Sequence, residues 1–177
     1  MCMTDDFGAP VVGIIMGSDS DLPVMKEACQ VFDEFGVPYE VRILSAHRSP
    51  EESAAYSRNA AGRGLKALIA GAGWAAHLAG VMAAGTTLPV IGVPIDSSPL
   101  SGMDALLSTV QMPPGVPVAA MAIGKGGARN AALFAVQILA LHDATLSEKL
   151  RRFKEKMAEG ILEKNQKISK TLQSQGS

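Results

Sequence analysis

The chain has 177 residues, 47% hydrophobic and 19% charged, which is the size and make-up of one globular domain able to bury a sizeable core. Sixteen basic residues stand against seventeen acidic ones, for a net charge of -1. No global basic field draws nucleic acid or an anionic membrane, and a small-molecule partner fits better.

In chain order, "MCMTDDFGAP" is acidic and has no apolar core, so residues 1–10 read as a flexible segment rather than a signal peptide. Cys2 and Cys29 are too few for a disulfide framework or a zinc site, which agrees with a reducing cytoplasm. "VVGIIM" (11–16) is a continuous apolar run, as a strand buried on both faces requires, and "GSDSDLP" then opens a helix. Leu22, Met25, Cys29, Phe32 and Phe35 recur at helical spacing, with Gly36 and Pro38 as the stop. "YEVRIL" (39–44) alternates apolar and polar residues and is expected at a sheet edge. Ser49-Pro50-Glu51-Glu52 reads as N-cap, first-turn proline and acids on the helix dipole, and Gly62 and Gly64 end that helix.

Three more strands are expected at "KALIAG" (66–71), "PVIGVP" (89–94) and "VPVAAMAIG" (116–124), separated by helices near 77–85, 102–111 and 127–142. The glycines, His77 and Pro89 that interrupt 65–95 exclude a membrane span there. Strands alternating with helices require right-handed crossovers and a parallel sheet covered on both faces. The expected fold is therefore a doubly wound, three-layer αβα domain over 11–145, and the order 2-1-3-4-5 puts the amphipathic second strand on the edge.

Residues 146–177 differ in kind. Ser147 to Leu172 carries eight of the sixteen Lys and Arg residues, with Leu150, Phe153, Met157 and Ile161 at helical spacing. This is a long amphipathic helix, docked either on its own domain or on a neighbouring subunit. "AALFAVQILAL" in helix 127–142 is apolar nearly all round and favours the neighbour.

In an open parallel sheet, ligands bind beyond the carboxyl ends of the strands, where the strand order reverses. The loops there are "GSDSD", "SAHRSP", "GAGWAAHL", "IDSSPLSG" and "GKGGARN". Ser18 and Ser20 offer hydroxyls at a helix start, while Asp19 and Asp21 suit ribose hydroxyls better than a bare phosphate; simple N-capping is the plainer reading. Arg48 is a fixed cation with a planar fork suited to a phosphate monoester. His47 can give and take a proton near neutral pH, although a loop histidine is more often structural. Gly73 allows a ligand close to the backbone, and His77 faces either that ligand or the core. His142, near a helix end, is assigned no function.

Six stretches, "MGSDSDLPVM", "FGVPYEVRILSAHRSP", "AGAGWAAHLAG", "LPVIGVP", "LLSTVQMPPGVPVA" and "AIGKGGARNAALFAVQIL", closely resemble the PurE family of de novo purine biosynthesis in its class I, mutase form. They span 16–139 in the family's order. The resemblance implies a flavodoxin-like fold, a cytoplasmic homo-octamer, and no metal or organic cofactor. It implies that a carboxylate moves from the exocyclic nitrogen to ring carbon 4 of aminoimidazole ribonucleotide, a sugar-phosphate imidazole. On that basis His47 is the catalytic imidazole, Ser18 and Asp21 bind substrate, and Arg48 grips the phosphate. Ser20, Ser45, Gly73 and His77 line the pocket.

Where family members commonly read "GAGGAAHLPG", this chain has Trp74 for a glycine and Ala79 for a proline. The nearest alternative is class II direct carboxylation with carbon dioxide, whose sequences tend to carry a lysine after the histidine and a different third loop. A phosphoacceptor signalling domain needs an aspartate where the third strand ends Ala70-Gly71, and "GSDSDL" lacks dinucleotide-binding spacing.

Overall fold

The computed structural model describes residues 8–175. Cys2 and most of the expected N-terminal segment 1–10 lie outside the described residues. The first strand, β1 (Val12–Met16), is buried at every position, because a parallel strand covered by helices on both faces has no wet side. It pairs in parallel with β2 (Tyr39–Ile43) on one side and β3 (Ala67–Ala72) on the other, with Ile14 level with Val41 and with Ile69. β3 continues to β4 (Val90–Pro94) and β4 to β5 (Ala119–Ala120), so the five-stranded order is β2-β1-β3-β4-β5, as expected. The chain leaves β1 in one direction for β2 and returns past it to β3. The loops after β1 and β3 therefore diverge and open a crevice at the carboxyl edge.

α1 (Leu22–Phe35) buries Met25, Ala28, Cys29, Phe32 and Phe35. Full burial of side chains such as Phe32, Ile14 and Ile69 stabilises the fold by roughly 1.5–3 kcal/mol each. Gly36 ends the helix in the left-handed region at φ 69, its N–H bonding back to the Asp33 and Phe32 carbonyls, a conformation that a side chain would strain. α2 (Pro50–Ala60) and α3 (Leu78–Gly85) pack against each other closely enough that a β-carbon on Gly85 would collide with Ser57 Oγ. α4 (Met103–Val110) and α5 (Lys125–Ala140) complete the first compact unit, which runs to Ile138.

Three expectations need correction. The fifth strand is two residues long, not the nine of 116–124. Pro117 has no N–H to give a ladder. Beyond Ala120 the chain keeps to β4 through single bonds, from Met121 N to the Gly92 carbonyl and from Gly124 N to the Pro94 carbonyl. On the edge strand β2, the deeply buried residue is Glu40. Its carboxylate accepts from the Tyr56 hydroxyl at 2.7 Å, from Arg42 at 3.3 Å and from Arg63, so charge pairing allows a burial that alternation of apolar residues did not foretell. Ser49 does not cap α2 with its side chain; it closes the preceding loop, as described below.

From Leu139 onward the chain forms a second compact unit built on α6 (Ala144–Gln175). The helix starts three residues before Ser147 because Asp143 caps it, its Oδ1 accepting from Thr145 N at 2.8 Å and Leu146 N at 3.0 Å. Glu148 bonds Arg151 and Arg152 along one face, and Met157, Ile161 and Ile168 are exposed.

Candidate active site

The loop after β1 turns through a short 3-10 turn, Asp19–Asp21, in which Ser18 Oγ accepts from Ser20 N and Asp21 Oδ2 accepts from Ser18 N at 3.0 Å. This capping box aims Asp21 inward, where it is only 4% exposed. Burial raises the Asp21 carboxyl above the usual carboxylate range; the N–H groups of Ser18 and Gly17 and the Arg48 charge pull the other way without cancelling it. Ser18 and Ser20 stay at the surface of the turn, with the Ser18 hydroxyl donating to Asp19 at 3.0 Å.

The loop after β2 is closed by two serines. Ser45 N donates to Ser49 Oγ at 2.9 Å, and both the Ser49 hydroxyl and Ser49 N donate to the Ser45 carbonyl. Ser45 Oγ in turn accepts from Arg48 N at 3.2 Å and Arg48 Nε at 3.3 Å. The guanidinium reaches across the crevice to donate from Nη2 to the Gly17 carbonyl at 2.7 Å. Arg48 thus ties the first loop to the second, and its remaining N–H groups are available to an anion. Between the two serines His47 is lifted into solvent.

The loop after β3 supplies the other wall. Gly73 is required sterically, since a β-carbon there would collide with Ser97 Oγ and lie 3.1 Å from the Ile95 carbonyl. Trp74 follows in the left-handed region at φ 55, where a bulky residue is an outlier, and is 60% exposed. His77 occupies the position before α3 and faces the crevice, not the core: its Nδ1 lies 2.9 Å from His47 Nε2, with the two rings edge to face. Ala79 falls in the first turn of α3, where a backbone N–H has no helical partner to lose, so a proline at this position costs no intrahelical hydrogen bond.

These loops enclose an open cleft of about 650 Å³ lined by Ser18, Ser20, Asp21, Ser45, His47, Arg48, Gly73 and His77, so every residue that the family resemblance pointed to meets in one place, while Asp19 stays outside it. A smaller recess of about 380 Å³ lies on the Ile43 and Ser49 side of Arg48. Ser97, from the loop after β4, also lines the main cleft; only its position in a loop at this edge hinted at it. The fifth loop, "GKGGARN", does not line it. The His47–His77 contact joins residues 30 apart in sequence and had no sequence signal.

An all-parallel αβα sandwich with a cleft at its switch point defines a flavodoxin-like protein with a small-molecule site. The AIR carboxylase family profile matches residues 11–160, and the chain belongs to that family. It is 56% identical over 159 residues to the N5-carboxyaminoimidazole ribonucleotide mutase of Pyrococcus horikoshii, covering 90% of this chain and 89% of that one. The Bacillus subtilis protein of the same name is 55% identical over 159 residues, 90% of this chain and 98% of its own. The phosphoribosylaminoimidazole carboxylase of Saccharomyces cerevisiae is 56% identical over 90% of this chain, which covers 28% of that longer protein. Among solved structures, Treponema denticola PurE superposes with a TM-score of 0.81 at 30% identity, covering 89% of this chain and 98% of that one.

Proposed function

We propose that this protein is an N5-carboxyaminoimidazole ribonucleotide mutase, an isomerase of de novo purine biosynthesis. The observation that carries the reading is the convergence of His47, Arg48, Ser18 and Asp21 on one cleft in a chain of this family. Arg48, held by the Gly17 carbonyl and Ser45, grips the substrate phosphate, while Ser18 and Asp21 take the ribose side. Ser20, Ser45, Gly73 and His77 complete the pocket.

The chemistry asks for a proton carrier. Loss of carboxylate from the carbamate gives carbon dioxide and a nucleophilic, enamine-like ring, which must be held together away from water until the new carbon–carbon bond forms. In the balance, the exocyclic nitrogen gains a proton and ring carbon 4, once carboxylated, loses one. His47 carries it, since an imidazole exchanges protons near neutral pH. The protein works in the cytoplasm as a homo-octamer, without metal or organic cofactor. No helix among the described residues is long and apolar enough to cross a membrane.

A spectroscopic isomerisation assay on the carbamate tests the reading, run beside aminoimidazole ribonucleotide with and without bicarbonate. Turnover of the carbamate without bicarbonate is the expected outcome. Turnover of aminoimidazole ribonucleotide alone, dependent on bicarbonate, would replace the mutase by the direct carboxylase.

A further inference from the structure

We propose that Trp74 is a substrate-binding residue of this chain, its indole stacking on the heterocycle of the ligand at the end of the cleft away from Arg48. The inference rests on the reading of the site as one for a sugar-phosphate imidazole, and deepens it by naming what holds the imidazole.

Trp74 is the largest side chain lining the cleft, and it is 60% exposed. Among the described residues its ring makes no hydrogen bond and stacks on no other ring. The indole is therefore neither part of the core nor spent on a local contact. Its backbone stands at φ 55, against the preference of a bulky residue, and such conformations cluster where a ligand is gripped. The chain on either side is fixed. Gly73 is wedged between Ser97 Oγ and the Ile95 carbonyl, and the Ala75 carbonyl accepts from His77 N at 2.8 Å. The side chain is thus the movable part of an anchored turn.

The two ends of the site differ in chemistry. The smaller recess beside Arg48 is lined by Gly17, Ser18, Ser45 and Ser49, and no residue of the loop after β3 reaches it. That is the end for a phosphate. Trp74 lines only the main cleft, together with Ala46, Ala72 and Leu78, none of which lines the recess. The loops after β2 and β3 meet at His47, so a sugar phosphate held by Arg48 and presenting its ring to the proton carrier brings that ring to the wall that carries Trp74. An aminoimidazole is planar and electron-rich, and offers an indole a flat face with few other groups to satisfy.

The chain has one tryptophan, so red-edge-excited emission of the full-length protein reports residue 74 alone. Saturation with aminoimidazole ribonucleotide is expected to quench and shift that emission. Ribose 5-phosphate, which has the sugar and phosphate but no heterocycle, is expected to bind without moving it. By calorimetry, Trp74→Gly weakens aminoimidazole ribonucleotide about tenfold, within the range known for a base stacked on an aromatic side chain, and leaves ribose 5-phosphate affinity unchanged. Trp74→Phe, which keeps an aromatic face, recovers most of the loss, whereas Trp74→Leu does not. In the isomerisation assay the glycine variant raises KM for the carbamate more than it lowers kcat, as loss of binding common to ground and transition states requires. Emission unmoved by bound aminoimidazole ribonucleotide, an equal loss of affinity for both ligands, or a leucine variant as tight as wild type overturns the stacking role and leaves the mutase reading standing. A wild-type protein that does not bind aminoimidazole ribonucleotide overturns both.

Discussion

His47 shows how little a residue says by itself. A histidine beside an arginine in a loop is compatible with a simple turn; the serine clasp at 45 and 49, the Arg48 bridge to Gly17 and the His77 contact give it a defined place. His47→Asn is expected to leave ligand affinity within a few-fold and to abolish turnover, because asparagine fills the same space and cannot titrate. Calorimetric binding of aminoimidazole ribonucleotide beside the isomerisation assay checks it, and near-normal turnover would remove His47 as the carrier. Trp74 raises a different question at the same scale, that of backbone strain. Both Trp74→Gly and Trp74→Ala delete the ring, but only glycine adopts φ 55 freely. The glycine variant should be more stable than the alanine variant by about 1 kcal/mol, read from chemical denaturation. Equal stability would mean that the left-handed conformation at Trp74 is not strained.

At the scale of elements, the join of β2 to α2 is made by charge. Burial works against the Glu40 carboxylate, but hydrogen bonds from Arg63 and Tyr56 and the charges of Arg63 and Arg42 outweigh it and hold the carboxyl below its usual range. Burial first, and then the Glu40 contact, pushes the Tyr56 hydroxyl upward, so it remains a donor, and the Arg63 guanidinium lies 5.1 Å from the Tyr56 ring centre. A carboxyl depressed in the folded state contributes stability above its unfolded value, and that contribution is lost as pH falls through the folded value. Glu40→Gln should therefore cost about 1–3 kcal/mol at pH 7, and the gap to wild type should close on acidification below about pH 4.5. Thermal melts across that range would show it; a gap that does not change with pH would point to packing alone. The loops are also elements here. Strand ends were legible from apolar runs bounded by glycine and proline, whereas the two-residue β5 was not, because an apolar run does not reveal which of its amides find a ladder partner.

For the whole molecule, the exposed apolar residues speak for association. Met103, Leu107 and Val110 lie along one face of α4 and are each about half exposed, beside Leu100 at 64%. Such a stripe is costly in water and is usually covered by a partner. The proposed homo-octamer predicts a sedimenting species with a mass near eight times the 18.4 kDa of one chain. Leu107→Glu should shift the population to smaller species without loss of helical circular dichroism, since Leu107 contributes little to the monomer's own core. A wild-type species at the mass of one chain would dismiss the octamer.

The amino-acid sequence by itself determined the fold class, the strand order and the set of residues at the carboxyl edge of the sheet. Each depends on local rules: apolar runs, helix starts and stops, and the right-handed crossover leave little freedom in how such a chain winds. The meeting of His47 with His77, the folding back of Ser49 onto Ser45, the opposition of Ser97 to Gly73 and the burial of Glu40 were decided only by the tertiary structure. Apart from the Ser45–Ser49 clasp, which closes within one loop, these are approaches between groups on separate loops and elements, set by the packing of the whole sheet, and no periodicity along the chain encodes them.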